Sequence, residues 1–216
     1  NYSLELLGEA KIAEKPTRII NFKSRYPGNP TQKLWIGEKY FVILKSEKYN
    51  ADGKIIYTSY FTDINIFPKF TRDDLTLPPF PEQDQRSTYS PPLKLTKKKA
   101  REKLDFPILT PKYVPQGYIF DGIFLFHPQD GKHIHLRYTN GLNSISLFER
   151  KKAVFDLQGF KSMTLRKESL GKKAIHYKVK DNLDSKILIW DIRDLTLTLI
   201  SDLTLDQLEL IMQSIN

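Results

Sequence analysis

His133 and His135 stand two residues apart in the run HIHLRYT. In a strand that spacing puts both rings on one face, where paired imidazoles can hold a divalent metal. A metal cage needs further donors. No carboxylate lies at a useful local spacing, and His127 and His176 fall on other predicted strands. The pair is therefore read as solvent-facing, and no metal or cofactor is assigned. Asp191, Asp194 and Asp202 also cluster, but at turn positions, where Asp is favoured for its side-chain-to-backbone bonds. Ser144 and Ser146 have no neighbouring base and no G-x-S-x-G elbow. No phosphate-binding or dinucleotide glycine pattern occurs. The chain has no cysteine, which removes disulfides, thiolate metal sites and cysteine nucleophiles. The sequence reads as that of a protein without enzymatic activity.

Charge is the remaining chemistry. A formal net charge of +9 suits an anionic partner. Between residues 150 and 180 the sequence carries Arg150, Lys151, Lys152, Lys161, Arg166, Lys167, Lys172, Lys173, Lys178 and Lys180 against Asp156 and Glu168. On adjacent strands these form one positive face. Phe155, Phe160 and Tyr177 are interleaved, a pattern that can stack single-stranded nucleic acid. Strand alternation, however, turns much of that aromatic set into the core. Nucleic acid is therefore set aside in favour of an acidic protein segment or a lipid headgroup, beside the plain reading of a solvated lysine-rich face.

The elements that must position these residues follow from the period-two patterns. Residues 1–67 read as an antiparallel meander of about five strands, with Asp52-Gly53 as the clearest hairpin turn. Almost no helix is offered there to cover an apolar face. Residues 68–95 hold Pro68, Pro78, Pro79, Pro81, Pro91 and Pro92 among polar residues and read as a stiffened linker. Residues 96–216 open on a short helix capped by Thr96 and close on one capped by Thr204. The hairpin LRYTNGLNSISLFER lies between them, with Asn140-Gly141 as a type I′ turn, and further strands surround it. In the last helix Leu208, Ile211, Met212 and Ile215 form one apolar stripe, expected to close the unit together with Trp190. The fold class is α+β, an antiparallel meander followed by a small antiparallel sheet unit with a helix at each end. The apolar side of the first sheet, around Trp35, Phe41 and Tyr60, is expected to be uncovered. No run approaches the ~18 apolar residues of a membrane span. The opening NYSLELLGEA is already strand-like and lacks methionine, so the chain reads as a mature or trimmed product.

Several pieces in order resemble the MucB/RseB family of extracytoplasmic sigma-factor regulators. The first are LLGEAKIAEKPTRIINFKSR and KLWIGEKYFVILKSEKYNADGKIIYTSYFTDI. They are similar to the latter half of the family's lipoprotein-carrier-like (LolA-like) first domain. PKYVPQGY, the hairpin LRYTNGLNSISLFER and the ending ILIWDIRDLTLTLISDLTLDQLELIMQSI are similar to the family's second domain. The resemblance implies a curved half-barrel with helices on its concave side, then a small α+β domain. It also implies a periplasmic or extracytoplasmic location, and binding to a membrane-anchored anti-sigma factor whose regulated cleavage is thereby prevented. Lipid-type envelope signals would relieve that protection. The upstream half of the carrier-like domain, with the elements that enclose an acyl chain, is absent from this sequence, and the linker is longer and richer in proline than the family pattern. A lipid or lipoprotein carrier is the alternative reading, and a structural envelope module a third. Arg150, Lys151, Lys152, Lys172 and Lys173, with Trp35, Phe41 and Tyr60, are the expected partner-binding residues. A second copy of the chain is admitted as a further partner.

Overall fold

The computed structural model describes residues 1–76, 91–126, 132–152, 163–170, 173–181 and 185–215. Five strands, β1 (Tyr2–Ile12), β2 (Lys15–Ser24), β3 (Thr31–Gly37), β4 (Ile43–Tyr49) and β5 (Ile55–Tyr60), form an antiparallel sheet in sequential order. The β1–β2 turn falls on Ala13 and Glu14, both with positive φ, and Lys15 and Pro16 already pair within β2. Asp52-Gly53 turns as expected, held by Asn50, whose Oδ1 accepts from the backbone N–H groups of Asp52 and Lys54 at 3.0 and 2.9 Å. The run from Tyr40 enters its strand only at Ile43, because Phe41 has φ 54° and serves the turn.

The second sheet comprises β6 (Leu93–Leu95), β7 (Ile119–Phe126), β8 (His133–Thr139), β9 (Ser144–Lys151), β10 (Thr164–Leu170), β11 (Lys173–Asp181), β12 (Lys186–Ile192) and β13 (Leu195–Ser201). Their spatial order is β10-β11-β12-β13-β9-β8-β7-β6. The expected linker is thus trimmed, since Leu93–Leu95 pairs with β7 at the sheet's edge. Asp73–Leu75 forms a single 3-10 turn, and residues 77–90 lie outside the described residues. β10 begins at Thr164, and residues 153–162 before it lie outside the described residues. The Asn140-Gly141 turn is not the two-residue type I′ form. It is a four-residue loop in which Asn140 Oδ1 accepts from Leu142 N at 3.1 Å and Asn143 N at 2.8 Å, because the Asn side chain replaces a backbone acceptor.

One face of this sheet is covered by α1 (Lys97–Lys103), α2 (Leu205–Gln213) and the loop between α1 and β7. Thr96 caps α1, and Thr204 with Gln207 forms a capping box on α2. Leu208, Ile211 and Met212 of α2 are buried against Trp190, Leu188 and Leu197, as the apolar stripe predicts.

Candidate partner-binding surfaces

The covered face of the second sheet follows the alternation Ile145, Leu147, Glu149 along β9 and Ile134, Leu136, Tyr138 along β8. Glu149 continues an apolar stripe and is fully buried. Its Oε2 accepts from the backbone N–H of Leu109 at 3.0 Å, and its Oε1 makes no hydrogen bond to a described residue. Burial pushes its pKa up to about 8, partly offset by the Leu109 bond. It ties the loop between α1 and β7 to the sheet. The same alternation would have revealed Glu149 in the sequence as the one carboxylate on the core side of its strand.

The opposite face is not covered by α1 or α2, though Ile189 and Thr196 on it are buried, and register fixes its rows. Leu165, Lys178, Ile189, Thr198, Phe148, His135 and Phe124 stand opposite one another from β10 across to β7. His135 is not solvent-facing as expected. It stacks on Phe148 with ring centroids 4.4 Å apart and lies 5.7 Å from Phe124. Burial, with Arg137 nearby, lowers its pKa to about 4, so the ring is neutral. His133 shares its face and stacks on Phe126 at 5.0 Å. Arg137 lies 4.7 Å from the Phe124 ring and pairs with Asp121, which also meets Lys94 at 3.3 Å. The Arg137 guanidinium holds the Asp121 carboxyl below the usual carboxylate range. This aromatic group escaped the sequence reading because its members come from three strands; the signal was the second alternation, Gly122, Phe124, Phe126.

The predicted basic residues separate. Lys151 pairs with Asp105 and Lys152 with Asp191, each at 2.6 Å. Arg150 lies on the open face, opposite Thr196 and His133. Lys173 opens β11, Lys172 lies outside the described residues, and so do Lys161, Phe155 and Phe160. Tyr177 points into the core, where its hydroxyl bonds the Glu209 carboxylate, and burial raises its pKa. The interleaved aromatics therefore do not form a stacking platform among the described residues.

The first sheet corrects another expectation. Trp35 is buried, with Lys45 Nζ 4.3 Å from its ring and Lys45 paired to Glu47 at 2.7 Å. Tyr60 stands opposite Lys45 on the same face, next to rows that carry Asn21, Lys33 and Glu47. Phe41 is exposed in the β3–β4 turn. That face is mixed, not apolar. On the other side Leu4, Phe22 and Tyr57 share a row with Gln32 and Lys48, and Leu6, Ile20 and Leu34 share the next with Ser46 and Ser59, so its apolar part is centred on β1 and β2. Where the sheet meets residues 61–67, Tyr40, Val42, Leu44, Ile64, Ile66 and Phe67 line a cavity of about 370 Å³.

A polar seam joins the two sheets. Asn1 Nδ2 donates to Gly117 O at 2.8 Å, Asn29 Nδ2 donates to Gln116 O at 2.9 Å, and Lys48 Nζ meets Asp202 Oδ2 at 3.3 Å. Gly117 has φ +91°, and a Cβ there would lie 2.7 Å from the Tyr26 ring, so only glycine fits both demands. Burial raises the Tyr2 hydroxyl to about 12, beside Asn143 and Asn140.

Residues 1–79 match the MucB/RseB N-terminal domain family, which is the family that the sequence motifs indicate. No curated protein matches the chain by sequence. Among solved structures, MucB in complex with the periplasmic part of MucA is similar over 100% of this chain and 67% of its own, at 18% identity and a TM-score of 0.61. The Pseudomonas aeruginosa MucA/MucB complex gives the same identity and TM-score over 64% of its length. A structure of MucB alone covers 99% of this chain and 62% of its own, at 16% identity and TM-score 0.53. The chain thus spans about two thirds of the length of these structures, and at such identities the likeness is one of fold.

Proposed function

We propose, from the MucB/RseB membership of residues 1–79, that this chain is a non-enzymatic regulator of the bacterial envelope. It binds the periplasmic segment of a membrane-anchored anti-sigma factor and controls that protein's cleavage in response to envelope signals. The observation that carries the reading is the fit of the whole chain to MucB in a structure that also holds MucA's periplasmic part. Among the described residues no group of three or more His, Cys, Asp or Glu side chains could hold a metal. The place of action is the periplasm. Residues 1–67 and 93–216 act as two units, with the stretch between them as a connector.

The test has two arms. Tagged chain is used to capture membrane proteins from an envelope extract, and the captured anti-sigma factor's periplasmic segment is then offered to its envelope protease. Saturating chain should slow the cleavage. Cleavage at an unchanged rate would sink the reading. A lipid carrier is the second reading, favoured by Leu4 and Leu6, which lie exposed on the apolar face of the first sheet. Mass spectrometry of the organic extract of purified protein tests it; a stoichiometric acyl lipid is the expected result of that alternative, and a lipid-free extract excludes it.

A further inference from the structure

The open face of the second sheet combines an apolar middle row with unpaired positive charge. Leu165, Phe148 and Phe124 share the row with Ile189, which is itself already buried, and a concavity of about 450 Å³ lies at its β10–β12 end, beside Leu165 and Lys178. Lys178 lies in that row. Arg150 and Lys167 project on one side of it and Lys180 on the other, by strand alternation. None of these four cations has an ion pair among the described residues, whereas the face's two acids, Asp121 and Asp191, are both paired already. Among the described residues the face therefore has an excess of positive charge with no unpaired acid to meet it.

We propose that this face docks an acidic, amphipathic segment of the partner, with its apolar side chains along the row from Phe124 to Leu165 and its carboxylates on Arg150, Lys167, Lys178 and Lys180. The inference rests on the regulator reading above and names the surface and chemistry of the contact. Charge complementarity selects the occupant: a neutral or basic segment would leave four cations uncompensated at the interface, and like-charge juxtaposition is costly. Dimensions agree. Seven strands at about 4.8 Å spacing give a row of roughly 29 Å, the length of a helix of about 19 residues. A flat anionic membrane is the less suitable occupant. Phe124, Phe148 and His135 are half-buried against one another, and in the row only Leu165 stands out, at 69% exposure. Membrane-seeking surfaces project several apolar side chains beyond the polar ones.

The experiment measures binding of the captured anti-sigma factor's periplasmic segment to the whole chain by fluorescence anisotropy, at low and high salt. Three variants are compared with the native chain: Lys178→Glu with Lys180→Glu, Leu165→Ser, and Lys54→Glu in the exposed turn of the first sheet as a charge control. Circular dichroism and melting temperature confirm that each variant is folded. The double reversal should weaken binding on the order of tenfold at low salt, chiefly through slower association, and by less at high salt. Leu165→Ser should weaken it several-fold at both salts, and Lys54→Glu should leave it unchanged. If the segment binds the native chain and both face variants equally, the docking surface is wrong and the regulator reading stands. If it does not bind the native chain at all, the regulator reading fails and takes this inference with it. If vesicles of phosphatidylglycerol and phosphatidylethanolamine bind the native chain but not the double reversal, while segment binding is unaltered, the face is a membrane surface and the inference is overturned.

Discussion

The two sheets of this molecule are built from similar strands and differ in what lies against them. The second sheet is covered on one face by two helices and a loop, and Ile123, Leu125, Ile134, Leu136, Leu147, Leu188, Leu197 and Leu199 are all buried there. In the first sheet the buried apolar side chains are Leu34, Trp35 and Leu44, while Leu4, Leu6, Ile43, Ile55, Tyr57 and Tyr60 are exposed. Alternation makes a strand amphipathic, but burial requires a second layer, and only the second sheet has one among the described residues. Stability should therefore be concentrated in one unit, and the other should offer surface.

Removing the second layer's anchor should have the largest effect. Leu208 is completely buried between α2 and the sheet. Leu208→Ala should cost roughly 2–5 kcal/mol, read as a lowered urea midpoint of the second unit. A cost below about half a kcal/mol, the ordinary range for surface changes, would mean that α2 is not a true cover and would erase the contrast between the sheets.

The next effect depends on pH. Glu149 keeps its proton in the folded protein up to about 8, whereas in the unfolded chain it ionises near the ordinary glutamate value of 4.5. Between those values the folded state holds more protons, so stability falls as pH rises through the window and levels off above it. The slope is at most about 1.4 kcal/mol per pH unit. Glu149→Gln keeps an acceptor for Leu109 N–H and should flatten the dependence of the urea midpoint on pH. A native profile already flat across the window would show that Glu149 is hydrated.

Smaller still is the cap. Thr204 accepts from Gln207 N at 3.3 Å, and the Gln207 side chain accepts from Thr204 N at 3.2 Å. Thr204→Ala should cost about 1 kcal/mol, with Thr204→Ser near native because serine keeps the acceptor. Calorimetric melting separates the two; equal melting points for the alanine and serine variants would remove the cap from the account of how α2 is held.

Legibility in the sequence followed the same division. Both helices were readable because Thr96 and Thr204 announce their starts, and the α2 stripe announces its buried face. Strands flanked by clear turns, such as Ile55–Tyr60 after Asp52-Gly53, were also legible. Pairing across long separations was not: β13 lies beside β9, and no local pattern encodes that neighbour. The open aromatic row depends on that order, so neither it nor the separation of Arg150 from Lys151 could be read from spacing. Aromatic residues do not mark the apolar side of the first sheet, since Trp35 and Tyr60 share a row with Lys45. Lys45 lying over Trp35 shows that a large ring can be covered by a neighbouring cation, while the plain leucines of β1 remain open.

Those leucines give the smallest predicted effect and the sharpest test of the comparison. Leu4 and Leu6 are 66% and 62% exposed and lie at the sheet's edge, so changing them removes little burial in a single chain. Leu4→Ser with Leu6→Ser should alter the first sheet's stability by no more than about half a kcal/mol per site, as is usual for surface positions. The same change should reduce binding of a hydrophobic dye, because contiguous exposed apolar surface is what such dyes report. Sedimentation over a range of protein concentrations completes the measurement. If the double change instead lowers stability well beyond that range and abolishes a concentration-dependent dimer, the leucines are buried by a second copy of the chain. The first sheet would then have its missing layer after all, supplied between molecules, and the contrast with the second sheet would be one of where the cover comes from.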